Sequence, residues 1–294
     1  MPIESPIRFL LNILAPFTVM IESIFELFQF EFMRNALLVG VLVSIACGIV
    51  GTLVVVNRIV FISGGIAHAA YGGIGLGYFY GFNPIVGAII FALMAALGMG
   101  WIARKTEQRT DTLIGVMWAV GMAIGIILVD LTPGYKADLM SYLFGSILTV
   151  SKANLLIVVG LNTVIILIVT VFYKELLAIS FDRIFALTRD LPADTLYLIL
   201  VAMIALTVVM VMQIVGLIMV IALLTIPAAI AEQFLQDLKQ IMIVAIVLGG
   251  FFTTLGLGLS YYFNLTSGAT IILISGITYL LSLVIKQYNK IKLT

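Results

Sequence analysis

The sequence predicts an all-α, polytopic membrane protein with about nine transmembrane helices and one short re-entrant or surface helix. Three observations predict it. Of the 294 residues, 63% are hydrophobic and only 10% are charged, against about 25% charged in a soluble domain. Thr195–Ala231 and Gln240–Ile285 contain no Lys, Arg, Asp or Glu, and each exceeds the roughly 20 residues a helix needs to cross a bilayer. Finally, basic residues collect in the short gaps between apolar runs.

Residues 1–31 form an N-terminal segment. It opens Met1-Pro2-Ile3-Glu4 with no basic region or cleavage-like site, which is not the pattern of a secretory signal. Pro16 interrupts its apolar run, and Glu22 and Glu26 follow one turn apart, so residues 7–30 read as an interfacial helix rather than a tenth span. Residues 32–286 form the membrane domain. Apolar runs bounded by charges or turn residues place its spans at Ala36–Val56, Ser63–Tyr80, Pro84–Ala103, Thr112–Val129, Ala153–Phe172, Thr195–Met212, Gly216–Ala231, Ile241–Phe263 and Gly268–Ile285. The bend at Gln213–Gly216 is expected to fold Thr195–Ala231 back as a helical hairpin. Residues 287–294 are a cytoplasmic tail.

Leu139–Val150 is apolar, but twelve helical residues cover only about 18 Å, short of a hydrocarbon core of about 30 Å. The positive charges decide its role. Arg58; Arg104, Lys105 and Arg109; Lys174, Arg183 and Arg189; Lys239; and Lys286, Lys290 and Lys292 account for eleven of the fifteen basic residues. All five groups fall on one side only if Leu139–Val150 does not cross. The positive-inside rule then makes that side, and the C-terminus, cytoplasmic.

Function is bounded mainly by what is missing. The net charge of +1 gives no footprint for nucleic acid. A single cysteine, Cys47, allows no disulfide framework. No GxxxxGK[ST], HExxH or GxSxG motif occurs, so the chain is expected to be neither a P-loop ATPase nor another enzyme. Spans without acidic pairs argue against a proton- or sodium-coupled carrier. Asp111 and Asp130 sit at span ends, and Glu232 lies beyond Ala231.

One ionisable side chain stands apart. His68 is the only histidine, and it lies within a span. On a helix it shares a face with Gly64 and Gly72. Beside them, Gly65, Ala69, Gly73 and Gly77 form a ridge of small residues that lets helices approach closely in lipid. His68 reads either as a packing hydrogen-bond donor or as a metal or proton site on a translocation path. Pro227, inside "ALLTIPAAIA" (222–231), is expected to kink its helix. Residues 174–194 mix apolar Phe181, Phe185 and Leu187 with charged Asp182, Arg183, Arg189 and Asp190. A connecting loop has no need of that mixture; a helix docking onto another protein does.

Together, "RIVFISGGIAHA" (58–69), "DTLIGVMWA" (111–119), "DLMSYLFGSILTVS" (138–151), "FDRIFALTRDLP" (181–192), "VGLIMVIALLTIPAAIA" (215–231) and "TSGATIILISGITYLLSL" (266–283) resemble one family. It comprises the membrane permease subunits of ATP-binding-cassette importers for zinc, manganese and, in some members, iron. The resemblance implies a permease subunit of an ATP-driven importer of a divalent transition metal, with the path along the centre of a homodimer. It implies a prokaryotic cytoplasmic (inner) membrane, a cytoplasmic ATPase dimer holding ATP and magnesium, and an extracytoplasmic metal-binding receptor. No cofactor is expected on this chain itself, and the metal ion is cargo. An importer of a chelated metal or another small solute, or a secondary transporter, is the alternative.

The resemblance also assigns residues. His68 matches the histidine of the family's Asp-x-x-x-His motif, whose Asp position is Gly64 here, so one of two ligands is missing. Phe181, Asp182, Arg183, Phe185, Ala186, Leu187, Arg189, Leu191 and Pro192 match the ATPase-coupling helix. Asp190 stands there in place of the small residue usual before Leu-Pro.

Overall fold

The computed structural model describes residues 30–105, 110–134, 145 and 147–292, with Lys105, Thr110, Arg183 and residues 289–292 described by their backbone alone. The N-terminal interfacial segment and most of Leu139–Val150 lie outside the described residues. Eleven α-helices follow in order: α1 Glu31–Val56, α2 Val60–Tyr80, α3 Pro84–Lys105, α4 Thr110–Leu131, α5 Lys152–Val171, α6 Tyr173–Phe181, α7 Arg183–Thr188, α8 Ala193–Val215, α9 Leu217–Phe234, α10 Leu238–Phe263 and α11 Ser267–Lys292. Among the described residues, nine of these are long and apolar enough to cross a membrane, all but α6 and α7.

The helices outrun the apolar segments that predict them. α1 begins at Glu31 rather than Ala36, and α11 continues past Lys286. A long charged side chain such as that of Lys286 can reach the interfacial layer while the backbone stays helical. A 3₁₀ turn, Ile147–Thr149, is the regular structure described between α4 and α5. Its Ile147 is buried, and the backbone of Gly145 abuts Val215 and Gly216.

α1 and α2 occupy the middle of the bundle. α2 is flanked by α3 and α4, while α1 packs against α5, α9 and α10; α8 bridges the two groups, and α11 closes on α9 and α10. Asn162 holds α5 in place by donating from Nδ2 to the Leu42 carbonyl of α1 at 2.9 Å. Gly216 alone separates α8 from α9, with φ 85° and ψ 156°, a left-handed conformation that glycine adopts readily. The expected hairpin is therefore modified. A one-residue link is shorter than the 2–5 residues of an αα-hairpin, and α9 packs mainly on α1, α11 and α10 rather than on α8.

The small-residue ridge of α2 brings backbones into contact. A Cβ at Gly73 would overlap the Gly87 carbonyl of α3 and stand 2.7 Å from the Ala88 nitrogen. On the other flank, a Cβ at Gly75 would stand 2.7 Å from Cα of Gly125 in α4. Gly73→Val is therefore expected to cost about 3 kcal/mol, the upper end of overpacking penalties, because backbone cannot yield as a side chain can. Gly160→Ala, on α5 with no atom within 4 Å of its added Cβ, is expected to be neutral or stabilising. Thermal unfolding midpoints in detergent would check the pair.

Candidate functional site

Both candidate regions begin with local helix chemistry. His68 sits midway along α2, which Val60–Tyr80 builds without a proline or a charge. The ring is partly exposed. It stacks on Trp118 of α4, with centroids 4.0 Å apart and planes inclined by 16°. Among the described residues, its buried Nδ1 has no hydrogen-bond partner. The imidazole is thus fixed by a ring face rather than by a polar contact at that nitrogen.

One turn earlier, Gly64 leaves room. An added Cβ would meet a single heavy atom within 4 Å, Cζ3 of Trp118 at 3.8 Å. The same indole therefore borders both the histidine and the vacant acid position. Trp118 also lines an open groove of about 560 Å³ with Gly115, Ala119, Met122, Ala123 and Ile126 of α4. Among the described residues, no three His, Cys, Asp or Glu side chains come together as a metal cluster.

At the opposite candidate site, Asp182 caps α7. Its Oδ1 accepts from the Phe185 backbone N–H at 2.9 Å, satisfying a donor that a helix start leaves unpaired. Such a cap allows a six-residue helix to stand. Phe181, Ile184, Phe185 and Leu187 are exposed around it, Ile184 most of all at 76%, whereas Ala186 is fully buried. Arg189 lies over the Phe185 ring, 5.2 Å from its centroid. Asp190 has φ 55°, the left-handed region in which small residues or Asp and Asn are at least strain. That conformation explains why a small residue suits this position and why aspartate tolerates it. Leu191 and Pro192 then lead into α8.

This segment is tied to the turn that precedes α2. Asn57 Nδ2 donates to Ser180 Oγ at 2.8 Å and to the Leu53 carbonyl at 2.8 Å. The turn closes through Arg58, which adopts φ 58°, with Ile59 donating to the Val54 carbonyl at 3.0 Å. Below it lies a second cavity of about 560 Å³, bordered by Asn57, Arg58, Arg104, Ser180, Tyr197 and Glu232 among others. There the Arg104 guanidinium sits 3.8 Å from the centre of the Tyr197 ring and its Nε stands 3.8 Å from Asp194.

Pro227 is buried within an α9 that continues through it to Phe234. A proline removes the hydrogen bond to the carbonyl four residues earlier. One residue beyond that carbonyl, the Leu224 carbonyl presses against Gly51 of α1, where an added Cβ would overlap it.

The structure thus brings His68 together with Gly64 and places Phe181, Asp182, Phe185 and Leu187 on one exposed knob. It keeps those two sites apart and assigns Ala186 to the root of the knob rather than its surface. Sequence reasoning passed over Trp118, Ile184 and the Asn57–Ser180 bond. Trp118 stands within the stretch "DTLIGVMWA" (111–119), but nothing in its spacing indicates a ring contact across helices.

Comparison with known proteins agrees with this fold. The pattern of the ABC 3 transport family matches residues 29–286. An uncharacterized membrane protein of Synechocystis sp. is 63% identical over 268 residues, covering 91% of this chain and 95% of that protein. The manganese transport system membrane protein MntC of Listeria monocytogenes is 33% identical over 256 residues, 87% of this chain and 91% of that one. Among solved structures, PsaBC from Streptococcus pneumoniae in complex with Fab superposes with a TM-score of 0.81 at 32% identity, covering 92% of this chain and 99% of the matched chain. An inward-facing putative metal-chelate type ABC transporter superposes at 0.70 with 17% identity, a likeness of fold alone.

Proposed function

The chain belongs to the ABC 3 transport family, and from that membership we propose that it is the membrane permease of an ATP-driven importer of a divalent transition metal: zinc, manganese or iron. The observation that carries the reading is the alignment of a manganese transport membrane protein along 87% of the chain at 33% identity. The metal is substrate, held only in passage. ATP and magnesium belong to a separate cytoplasmic ATPase dimer, and an extracytoplasmic receptor delivers the ion.

Two copies of the chain enclose the path. The exposed face of α4 supports this, because Gly115, Ala119 and Ala123 recur at every fourth position there and permit close helix approach in lipid. The exposed knob of α7 receives the ATPase. Its displacement passes through the Asn57–Ser180 bond to the turn before α2, and so to the helix that carries His68. The C-terminus and the knob share the cytoplasmic side of a prokaryotic inner membrane, an orientation that the clustering of the five basic groups supports.

The reading is tested by His68→Ala. Uptake at limiting metal, in cells lacking other uptake systems, is expected to fall about tenfold or more, the scale on which altered metal sites lose function. Assembly with the ATPase should be retained. Unchanged uptake would remove His68 from the path.

A further inference from the structure

We propose that Trp118 is the positioning residue for cation binding at His68, and that the pair favours imidazole-seeking divalent ions over oxygen-seeking ones. The inference rests on the reading of His68 as part of the metal path. A metal-ligating histidine ordinarily donates its second ring N–H to a carboxylate or carbonyl, which fixes the tautomer and the ring orientation. Among the described residues, the buried His68 Nδ1 has no such partner. The contact that holds the ring is the indole, stacked at 4.0 Å and 16°.

The stack has an electrostatic consequence as well. An imidazole that coordinates a divalent ion gains positive character, and the face of an indole attracts positive charge. Trp118 therefore stabilises the loaded state of His68 more than the empty one. It does so from the side on which Gly64 has withdrawn a carboxylate, since Cζ3 of Trp118 stands 3.8 Å from a Cβ at Gly64. The site replaces an anionic oxygen with a π-face. Ions that depend on carboxylate oxygen lose more by this exchange than ions that bind imidazole well. Trp118 also lines the open groove on α4, so an ion approaching from that groove meets the indole on its way to the histidine.

The chain has two tryptophans, Trp101 and Trp118. Trp101→Phe leaves Trp118 as the reporter in the purified full-length protein. Titration with cobalt(II), an imidazole-seeking ion that quenches indole emission at short range, is expected to quench Trp118 saturably. Magnesium(II) and calcium(II) should not. In the otherwise native chain, Trp118→Leu is expected to weaken cobalt(II) binding at least tenfold by equilibrium dialysis, and Trp118→Phe to recover most of it. Native cobalt(II) affinity in Trp118→Leu, with binding abolished in His68→Ala, would overturn the role of Trp118 and leave the His68 reading standing. Equal quenching with and without His68 would overturn the His68 reading itself. Magnesium(II) quenching as strong as that of cobalt(II) would overturn the stated preference. Should Trp118→Leu fail to fold, Trp118→Met, which keeps an apolar side chain without a π-face, takes its place in the same dialysis with the same expected loss, and native cobalt(II) affinity there would overturn the role of Trp118.

Discussion

Replacing Gly64 by aspartate is expected to tighten divalent-ion binding at His68 by at least tenfold and to shift preference toward manganese(II). Residues four apart on a helix stand one above the other on the same face, so a carboxylate at 64 would add an oxygen beside the imidazole. Space is available, because only Cζ3 of Trp118 at 3.8 Å borders a Cβ there. Altering an outer-shell partner alone changes metal affinity 10- to 100-fold; a direct ligand should do no less. The shift toward manganese follows from the greater preference of that ion for oxygen donors.

The same substitution carries a cost that offers a second readout. An unpaired carboxylate within a span is expensive, so Gly64→Asp should lower the thermal midpoint of the metal-free protein. Ion binding to the folded state alone then raises the midpoint with concentration. Equilibrium dialysis against manganese(II) and zinc(II), paired with melts at several metal concentrations, would check both effects. A variant with native affinity and a metal-independent melt would place the groups at 64 and 68 outside any common site.

The contrast between Gly64 and its neighbours shows what a sequence can reveal here. The spans are legible because apolarity is a local property, and in lipid a helix is the structure that satisfies a crossing backbone within a single segment. The ridge of Gly65, Ala69, Gly73 and Gly77 is legible because its period matches the helix. Which glycines touch a neighbour and which stand beside open space is not legible. Gly73 abuts Gly87 while a Cβ at Gly64 would reach only ordinary contact with the Trp118 ring, and the difference depends on where α3 and α4 lie. The stack of His68 on Trp118 and the bond from Asn57 to Ser180 join residues far apart in sequence, so no periodicity contains them. The knob is an intermediate case. Its composition marks it for docking, yet composition cannot tell the buried Ala186 from the exposed Ile184 beside it. That distinction depends on which face of a six-residue helix roots into α6 and α8.

Ile184→Asp is expected to release the ATPase from the permease without disturbing the permease itself. At 76% exposure, Ile184 makes little contact within its own chain, so substitution removes almost no internal packing. A partner that covers this side chain would instead have to bury an unpaired carboxylate, which is costly away from water. Central apolar anchors of protein interfaces lose about 2 kcal/mol or more on truncation, roughly a 30-fold weakening, and an aspartate should exceed that. Leu187→Asp, on the same exposed surface, should behave alike. Asp182→Ala should act by a different route, loosening the α7 cap at about 1 kcal/mol and weakening association more modestly. Co-elution of the ATPase with the purified permease separates these outcomes, and detergent melts of the permease alone control for folding. Retention of the ATPase by the Ile184 and Leu187 variants would mean that the exposed apolar knob at 181–187 is not where the motor engages, and the transmission through Asn57 and Ser180 would lose its starting point.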